Sequence, residues 1–241
     1  MEKLIYAFWR KADQVPASLR ELLLAELGRG LLSLGAQRPQ LYIADHDGVA
    51  DGLPQFQLAA TKPPPDGMVS FWISSAFRRA EAERWVGSLF ARVAGYVVSE
   101  STILSNLAHR VAAGKRSFGF TQVSFLQLPP RLPYEQWRKI WFEQHTSVGI
   151  EAQSIFRYVQ NVVVQPLTDG APPYRGIVEE GFPEQALRDA HTFYDAVGDD
   201  HKLRRNMRVM MESAARFLDF DKIDVVPMSE YVLHEESEPQ L

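Results

Sequence analysis

The residues best suited to chemistry lie on a helix predicted over residues 134–148, in the second half of the chain. One face of that helix, counted in steps of three and four, carries Trp137, Ile140, Trp141, His145 and Val148. A histidine has an unperturbed pKa of about 6.5, so on a face packed against a sheet it can accept and donate protons near neutral pH. His145 is therefore the candidate general acid or base. The alternative is a core histidine held by a structural hydrogen bond.

The strand predicted immediately after this helix carries polar side chains on both of its faces. Side chains alternate along a strand, so Arg157 and Asn161 share one face while Tyr158 and Gln160 share the other. Buried polar groups are costly unless they are paired, so such a face either lines a pocket or meets solvent. The sequence leaves open which of the two faces looks toward His145.

A second helix, predicted over residues 200–218, is expected to complete the wall of this pocket. Methionine adapts its shape to irregular apolar ligands, although an ordinary amphipathic core helix would show the same pattern. The apolar face of the helix predicted over 200–218 carries Leu203, Met207, Met210, Met211, Ala214 and Phe217. The candidate substrate contacts are Trp137, Trp141, Arg157, Met207, Met211 and Phe217.

The two halves of the chain repeat one order of predicted elements. Each half has a strand, a helix, two strands, a helix and a final strand, which is the order of a ferredoxin-like unit. A proline-rich turn, PPPDG at 63–67 and DGAPPY at 169–174, precedes the third strand of each half. The closing strands, VVSESTI at 97–103 and VPMSEYV at 226–232, are also similar.

We therefore predict an α+β chain built from two ferredoxin-like repeats that form one pseudo-dimeric α/β barrel. The first repeat spans residues 1–104 and the second spans 118–234. Residues 105–117 connect them, and the acidic tail at 235–241 is assigned no function.

Composition narrows the classes of function. The chain has 241 residues, 46% of them hydrophobic and 23% charged, so it is expected to fold. Its net charge of -4 gives no electrostatic reason to expect a nucleic-acid partner. It has no cysteine, which excludes disulfides, iron-sulfur clusters and a cysteine nucleophile. No apolar run approaches the roughly 20 residues that span a bilayer, and the first ten residues read as a strand. We expect a cytoplasmic protein without a membrane partner.

The chain contains no GxGxxG, GxxxxGK[ST] or HExxH, which are sequence motifs typical of nucleotide-binding proteins and of zinc proteases. The cluster Asp45-His46-Asp47 is expected to form a hydrophilic turn rather than a metal site. A small organic molecule is therefore the expected ligand, and no metal or other cofactor is expected.

Four motifs in the second half resemble the EthD-type proteins of the dimeric α/β-barrel superfamily. They are WRKIWFEQH (137–145), RYVQN (157–161), RFLDFDK (216–222) and SEYV (229–232). The first half departs from this pattern, because its first helix, LRELLLAELGRGLLSLG, contains neither Trp nor His. The resemblance thus implies one functional site in each chain, with the first half a degenerate copy kept for architecture.

The resemblance implies a ligand held between the sheet and its helices. Superfamily relatives include cofactor-free oxygenases, cyclases, isomerases, decarboxylases and dehydratases. We expect a cofactor-independent lyase or isomerase acting on a hydrophobic, aromatic or polycyclic substrate, with His145 as acid or base and Tyr158 or Asn161 stabilising an oxyanion. The alternatives are a non-catalytic binding protein and, less favoured, a haem-dependent oxidoreductase with His145 as axial ligand. A homodimer of such pseudo-dimeric chains is left open.

Overall fold

The computed structural model describes residues 1–45 and 52–234. His46 and Asp47 of the acidic cluster lie outside the described residues, as does the tail at 235–241. None of the helices in the described part of the chain combines the length and the apolar character needed to cross a bilayer.

The first half of the chain contributes four strands and two α-helices to the described structure. They are β1 (Glu2–Trp9), α1 (Pro16–Ser33), β2 (Gln37–Ile43), β3 (Gly67–Ile73), α2 (Ala80–Leu89) and β4 (Arg92–Leu104). The second half repeats this order with a longer helical region after its first strand. Its elements are β5 (Phe120–Gln127), α3 (Tyr134–Lys139), a π-helical segment (Ile140–His145), α4 (Thr146–Ala152), β6 (Arg157–Pro166), β7 (Tyr174–Phe182), α5 (Ala190–Phe193), α6 (Asp200–Ala215) and β8 (Ile223–Val232).

The eight strands close into one antiparallel barrel in the order β1-β3-β2-β8-β5-β7-β6-β4. The first half therefore supplies β4-β1-β3-β2 and the second half supplies β8-β5-β7-β6, so the two halves have the same internal order. The halves join where β2 pairs with β8 and where β4 pairs with β6. The predicted α+β class and the single α/β barrel are confirmed.

The strands lack a simple alternation of apolar and polar residues because both of their faces are covered. In β1, for example, Tyr6 faces the helices of the first half while Ile5 faces the barrel interior, and both side chains are fully buried. The fold thus has three buried layers: the barrel interior and one layer between sheet and helices in each half.

Candidate active site

A cavity of about 120 Å³ lies between the sheet of the second half and the helices that cover it. The strands β5, β6, β7 and β8 form its floor, and the π-helical segment and α6 form its walls. Its lining includes polar groups from both layers, namely Gln122, Ser124, His145, Gln153, Tyr158 and Glu180. The apolar part of the lining includes Trp141, Val178, Met210, Met211, Ala214 and Phe217.

The π-helical segment brings His145 to this cavity. Trp141 and His145, four residues apart, are both buried on the side of this segment that faces the sheet. The indole of Trp141 packs over Gly176 of β7, where an added Cβ would lie 2.7 Å from the ring. The small residue at Gly176 thus lets the helical segment lie close to the sheet, and π-helical segments are frequent at functional sites.

His145 is held by one hydrogen bond and one ring contact. Its Nδ1 lies 2.9 Å from Ser213 Oγ of α6, and its ring centroid lies 4.7 Å from that of Phe217. Nε2 has no hydrogen-bond partner among the residues that the structure describes. Only 8% of the residue is exposed, and this burial lowers the pKa of His145 to about 4. The imidazole is therefore neutral at pH 7.

Glu180 lines the same cavity from the opposite side, on β7. Gln122 of the adjacent strand β5 donates a hydrogen bond from Nε2 to Glu180 Oε2 over 2.7 Å. Burial raises the pKa of Glu180 to about 7, and the bond from Gln122 offsets only part of this effect. Near neutral pH the carboxyl group is thus divided between its protonated and ionised forms.

Tyr158 of β6 also faces this cavity. Gln160 Nε2 donates to Tyr158 Oη over 3.1 Å and to Thr146 Oγ1 over 2.9 Å. Burial raises the pKa of Tyr158 well above its usual value, so its hydroxyl keeps its proton. Because Oη accepts the bond from Gln160, the hydroxyl hydrogen is left to donate to another group.

The structure brings five of the nine predicted site residues to the cavity. They are Trp141, His145, Tyr158, Met211 and Phe217. Trp137 lies behind Trp141, with ring centroids 5.0 Å apart, and supports it rather than lining the space. Met207 does not line the cavity and is 40% exposed on α6.

The other two predicted residues, Arg157 and Asn161, face the barrel interior instead. There Arg157 Nη2 donates to Glu179 Oε2 over 2.6 Å, and Asn161 Nδ2 donates to Glu179 Oε1 over 2.9 Å. Lys3 Nζ lies 3.2 Å from Glu179 Oε1 and donates to Asn161 Oδ1 over 2.9 Å. It is therefore the face with Tyr158 that looks toward His145.

The interior network keeps its acidic group ionised. Burial alone would raise the pKa of Glu179, but the charges of Lys3 and Arg157 hold it well below its usual range. The pKa values of these adjacent residues of β7 are thus shifted in opposite directions, because Glu179 is paired with cations and Glu180 is not.

The sequence analysis missed several polar residues of the cavity, among them Gln122, Ser124, Gln153 and Glu180. Gln122 and Glu180 are polar side chains within the buried strands β5 and β7, which is the signal that could have found them. Their pairing across β5 and β7 shows only in the sheet register.

A haem with His145 as axial ligand does not fit this cavity. Pockets for ligands of drug-like size measure about 300 Å³ or more, whereas this one measures about 120 Å³. Phe217 also packs against the imidazole ring, with the two ring centroids 4.7 Å apart. The residues present therefore do not fit the haem-dependent alternative.

No protein-family profile and no curated protein sequence matches this chain. Among solved structures it is similar to an anthrone oxidase-like protein, with 7% identity, a TM-score of 0.57 and coverage of 100% of this chain and 96% of the other. It is also similar to a candidate monooxygenase from Fusobacterium nucleatum subsp. nucleatum, with 7% identity, a TM-score of 0.50 and coverage of 100% and 95%. A chlorite dismutase from Candidatus Nitrospira defluvii aligns with 10% identity, a TM-score of 0.48 and coverage of 96% and 91%.

At these identities the likeness establishes the fold and leaves the reaction to be argued from the site. The finer assignment to the EthD-type proteins stays a prediction. The chain has the fold of the dimeric α/β-barrel proteins.

Proposed function

We propose that this chain is a cofactor-independent enzyme of the lyase or isomerase type, which transfers protons on a hydrophobic small molecule held in the His145 cavity. One observation carries the proposal. A neutral imidazole and a carboxyl group that is partly protonated near pH 7 line the same small space. Pairs of titratable groups whose surroundings displace their pKa values in opposite directions are typical of acid-base sites.

The roles follow from the hydrogen bonds. In the tautomer whose Nδ1–H donates to Ser213 Oγ, Nε2 of His145 holds a lone pair, and we assign that tautomer the role of the base. The hydroxyl of Tyr158 and the protonated carboxyl of Glu180 are the donors that would stabilise an oxyanion as it forms. Asn161 donates to Glu179 in the interior network on the other side of the sheet, so the oxyanion role is proposed for Tyr158 and Glu180 alone.

The volume of the cavity favours a substrate with one ring. An apolar cavity of about 150 Å³ engineered in another protein binds benzene, and the present cavity measures about 120 Å³. Met211, which lines the cavity and is 51% exposed, is the side chain best placed to move as a substrate enters. We therefore propose a single-ring aromatic substrate rather than a polycyclic one.

We further infer that the chain is a fused pair of ferredoxin-like repeats, with EthD-type character in the second. The identical strand orders of the two halves support the repeat. The positions of Trp141 and His145 on one face of a helical segment support the EthD-type character.

The test is proton exchange on phenylacetaldehyde, a neutral molecule with one aromatic ring and acidic hydrogens next to its carbonyl group. In D2O the base removes a carbon-bound proton, the enolate oxygen accepts a hydrogen bond, and a deuteron from solvent returns to the carbon. The exchange is followed by proton NMR. General acid-base catalysis typically contributes about 100-fold to 10,000-fold, so His145→Gln should slow the exchange by at least about 100-fold.

The matched control is His201→Gln, because His201 lies at the exposed start of α6. This variant should exchange at the wild-type rate. Equal rates in wild type and His145→Gln would contradict the proposed base. Binding of phenylacetaldehyde without any acceleration of exchange would favour the alternative, a non-catalytic binding protein.

A further inference from the structure

A second and larger cavity, of about 800 Å³, lies at one open end of the barrel interior. We call it the barrel mouth. It is lined from the strands by Arg38, Gln40, Trp72, Glu100, Arg157 and Glu230, and from the connection between the halves by residues that include Asn106, His109 and Arg110. Because Arg157 and Tyr158 point to opposite faces of β6, the barrel mouth lies on the other side of the sheet from the His145 cavity.

Arg157 gives the barrel mouth a hydrogen-bond donor without an acceptor. Its Nη2 donates to Glu179 and Tyr42 and lies 3.7 Å from Glu230 Oε1. Its Nη1 has no hydrogen-bond partner among the described residues, although Arg157 as a whole is only 9% exposed. A buried donor without an acceptor costs free energy, so an acceptor oxygen that reached Nη1 from the barrel mouth, which the Arg157 side chain lines, would remove that cost.

The charges around the barrel mouth favour an anion. Each acidic group lies close to a cation: Glu100 is 2.6 Å from Lys3, and Glu230 is 3.7 Å from Arg157. Arg110, by contrast, has no ion pair among the described residues. The acidic groups of the wall and of the network beneath it, Glu100, Glu179 and Glu230, each lie within 3.7 Å of Lys3 or Arg157, so the guanidinium of Arg110 at the rim is left for an incoming anion.

The same wall offers apolar surface to the body of a ligand. The apolar lining includes Trp72, Leu104, Val159 and Val232. Its volume lies within the range of about 300–1,000 Å³ that is usual for sites of drug-sized ligands. Guanidinium groups match carboxylates in geometry and charge.

We propose that the barrel mouth is a second ligand site, for an organic carboxylate with an apolar body. The carboxylate is bound by Arg157 and Arg110, and the apolar body lies against Trp72. This site is independent of the proton-transfer chemistry proposed for the His145 cavity.

The test is calorimetric titration of the whole protein with 1-naphthoate, compared with 1-naphthylmethylamine, which has the same ring system and the opposite charge. The carboxylate should bind with one molecule per chain, and the amine should bind at least about tenfold more weakly. Arg157→Lys still offers a cation to Glu179 but cannot also supply the second guanidinium nitrogen, so it should weaken 1-naphthoate at least about tenfold. Arg110→Gln, at the rim, should do the same and keeps the test open if Arg157→Lys fails to fold.

The controls are Arg204→Gln, on the exposed side of α6, and His145→Gln, in the other cavity. Both should bind 1-naphthoate with the wild-type affinity. The proposal is overturned if 1-naphthoate does not bind, if the amine binds equally well, or if both arginine variants retain wild-type affinity. Loss of binding in His145→Gln would also overturn it, since the ligand would then lie in the other cavity.

Discussion

The layers between sheet and helices in the two halves share a strand framework and differ in what fills them. On the helix-facing side of the first half, Tyr6 of β1 pairs with Val69 of β3. On the same side of the second half, Gln122 of β5 pairs with Glu180 of β7. The first layer is filled by apolar side chains from α1, including Leu19, Leu23, Leu27 and Leu31. The second layer contains the His145 cavity.

The difference shows how one strand framework can support either a filled apolar layer or a layer that contains a cavity. Apolar burial contributes roughly 25 cal/mol per Å², so the leucine-rich layer of the first half mainly stabilises the barrel. The second half gives up part of that burial at Gln122, Ser124 and Glu180, and it gains a space in which burial displaces the pKa values of His145 and Glu180.

Placing one polar side chain in each layer should give the largest difference in stability between the two halves. Val69→Gln puts an amide into the filled layer, where it has no partner and too little room, and should lower the free energy of unfolding by about 4 kcal/mol. Val178→Gln puts the same group at the wall of the His145 cavity and should cost clearly less. Urea denaturation of both variants measures the difference, and equal losses would contradict the contrast between the layers.

Removing the buried carboxyl group of Glu180 should have the next largest effect on the free energy of unfolding, and it should raise that free energy. The pKa of Glu180 is raised from 4.5 to about 7, so the folded state holds a proton that the unfolded state releases, and stability falls as the pH rises through this window. Glu180→Gln removes that loss and should raise the free energy of unfolding by about 3 kcal/mol at pH 8. Below pH 4.5 the gain should vanish, and a gain that is independent of pH would argue against a raised pKa.

The pH dependence of this variant also tests His145. Its pKa is lowered from 6.5 to about 4, so the unfolded state binds the extra proton and stability falls as the pH drops through this window. In the wild type the opposing effects of His145 and Glu180 largely cancel between pH 4.5 and 6.5. Denaturation of Glu180→Gln should therefore reveal a rise in stability with pH that is weaker in the wild type.

Adding a methyl group at Gly176, which lies under the Trp141 ring in the second half, should have a smaller effect on stability. In Gly176→Ala the new methyl group would lie 2.7 Å from the Trp141 ring, so the helical segment must shift. Overpacking of this kind typically costs about 1–3 kcal/mol. The matched control is Gly87→Ala in α2, where no atom lies within 4 Å of the added carbon. Thermal denaturation should show a loss for the first variant only.

Periodicity in the sequence was sufficient to predict the α+β class and the helix face that carries Trp141 and His145, because both follow from local spacing. The single barrel was predicted from the order of elements shared by the two halves. The predicted helix at 134–148 is observed as α3, the π-helical segment and α4, because helical periodicity does not distinguish an α-helical from a π-helical turn.

The sequence could not assign the faces of β6 or find the partner of His145. Polar residues mark both faces of that strand because the barrel interior is itself polar near Lys3 and Glu179. Glu179 and Glu180 are neighbours in the chain with opposite surroundings, and only the closure of the barrel separates them.

The opposite displacement of two pKa values within one cavity is the central claim, and NMR titration of the His145 ring nitrogens and the Glu180 side-chain carboxyl carbon tests it most directly. The account predicts a midpoint near pH 4 for His145 and one near pH 7 for Glu180. Midpoints near 6.5 for the histidine and 4.5 for the glutamate, the ordinary values of these groups, would contradict it.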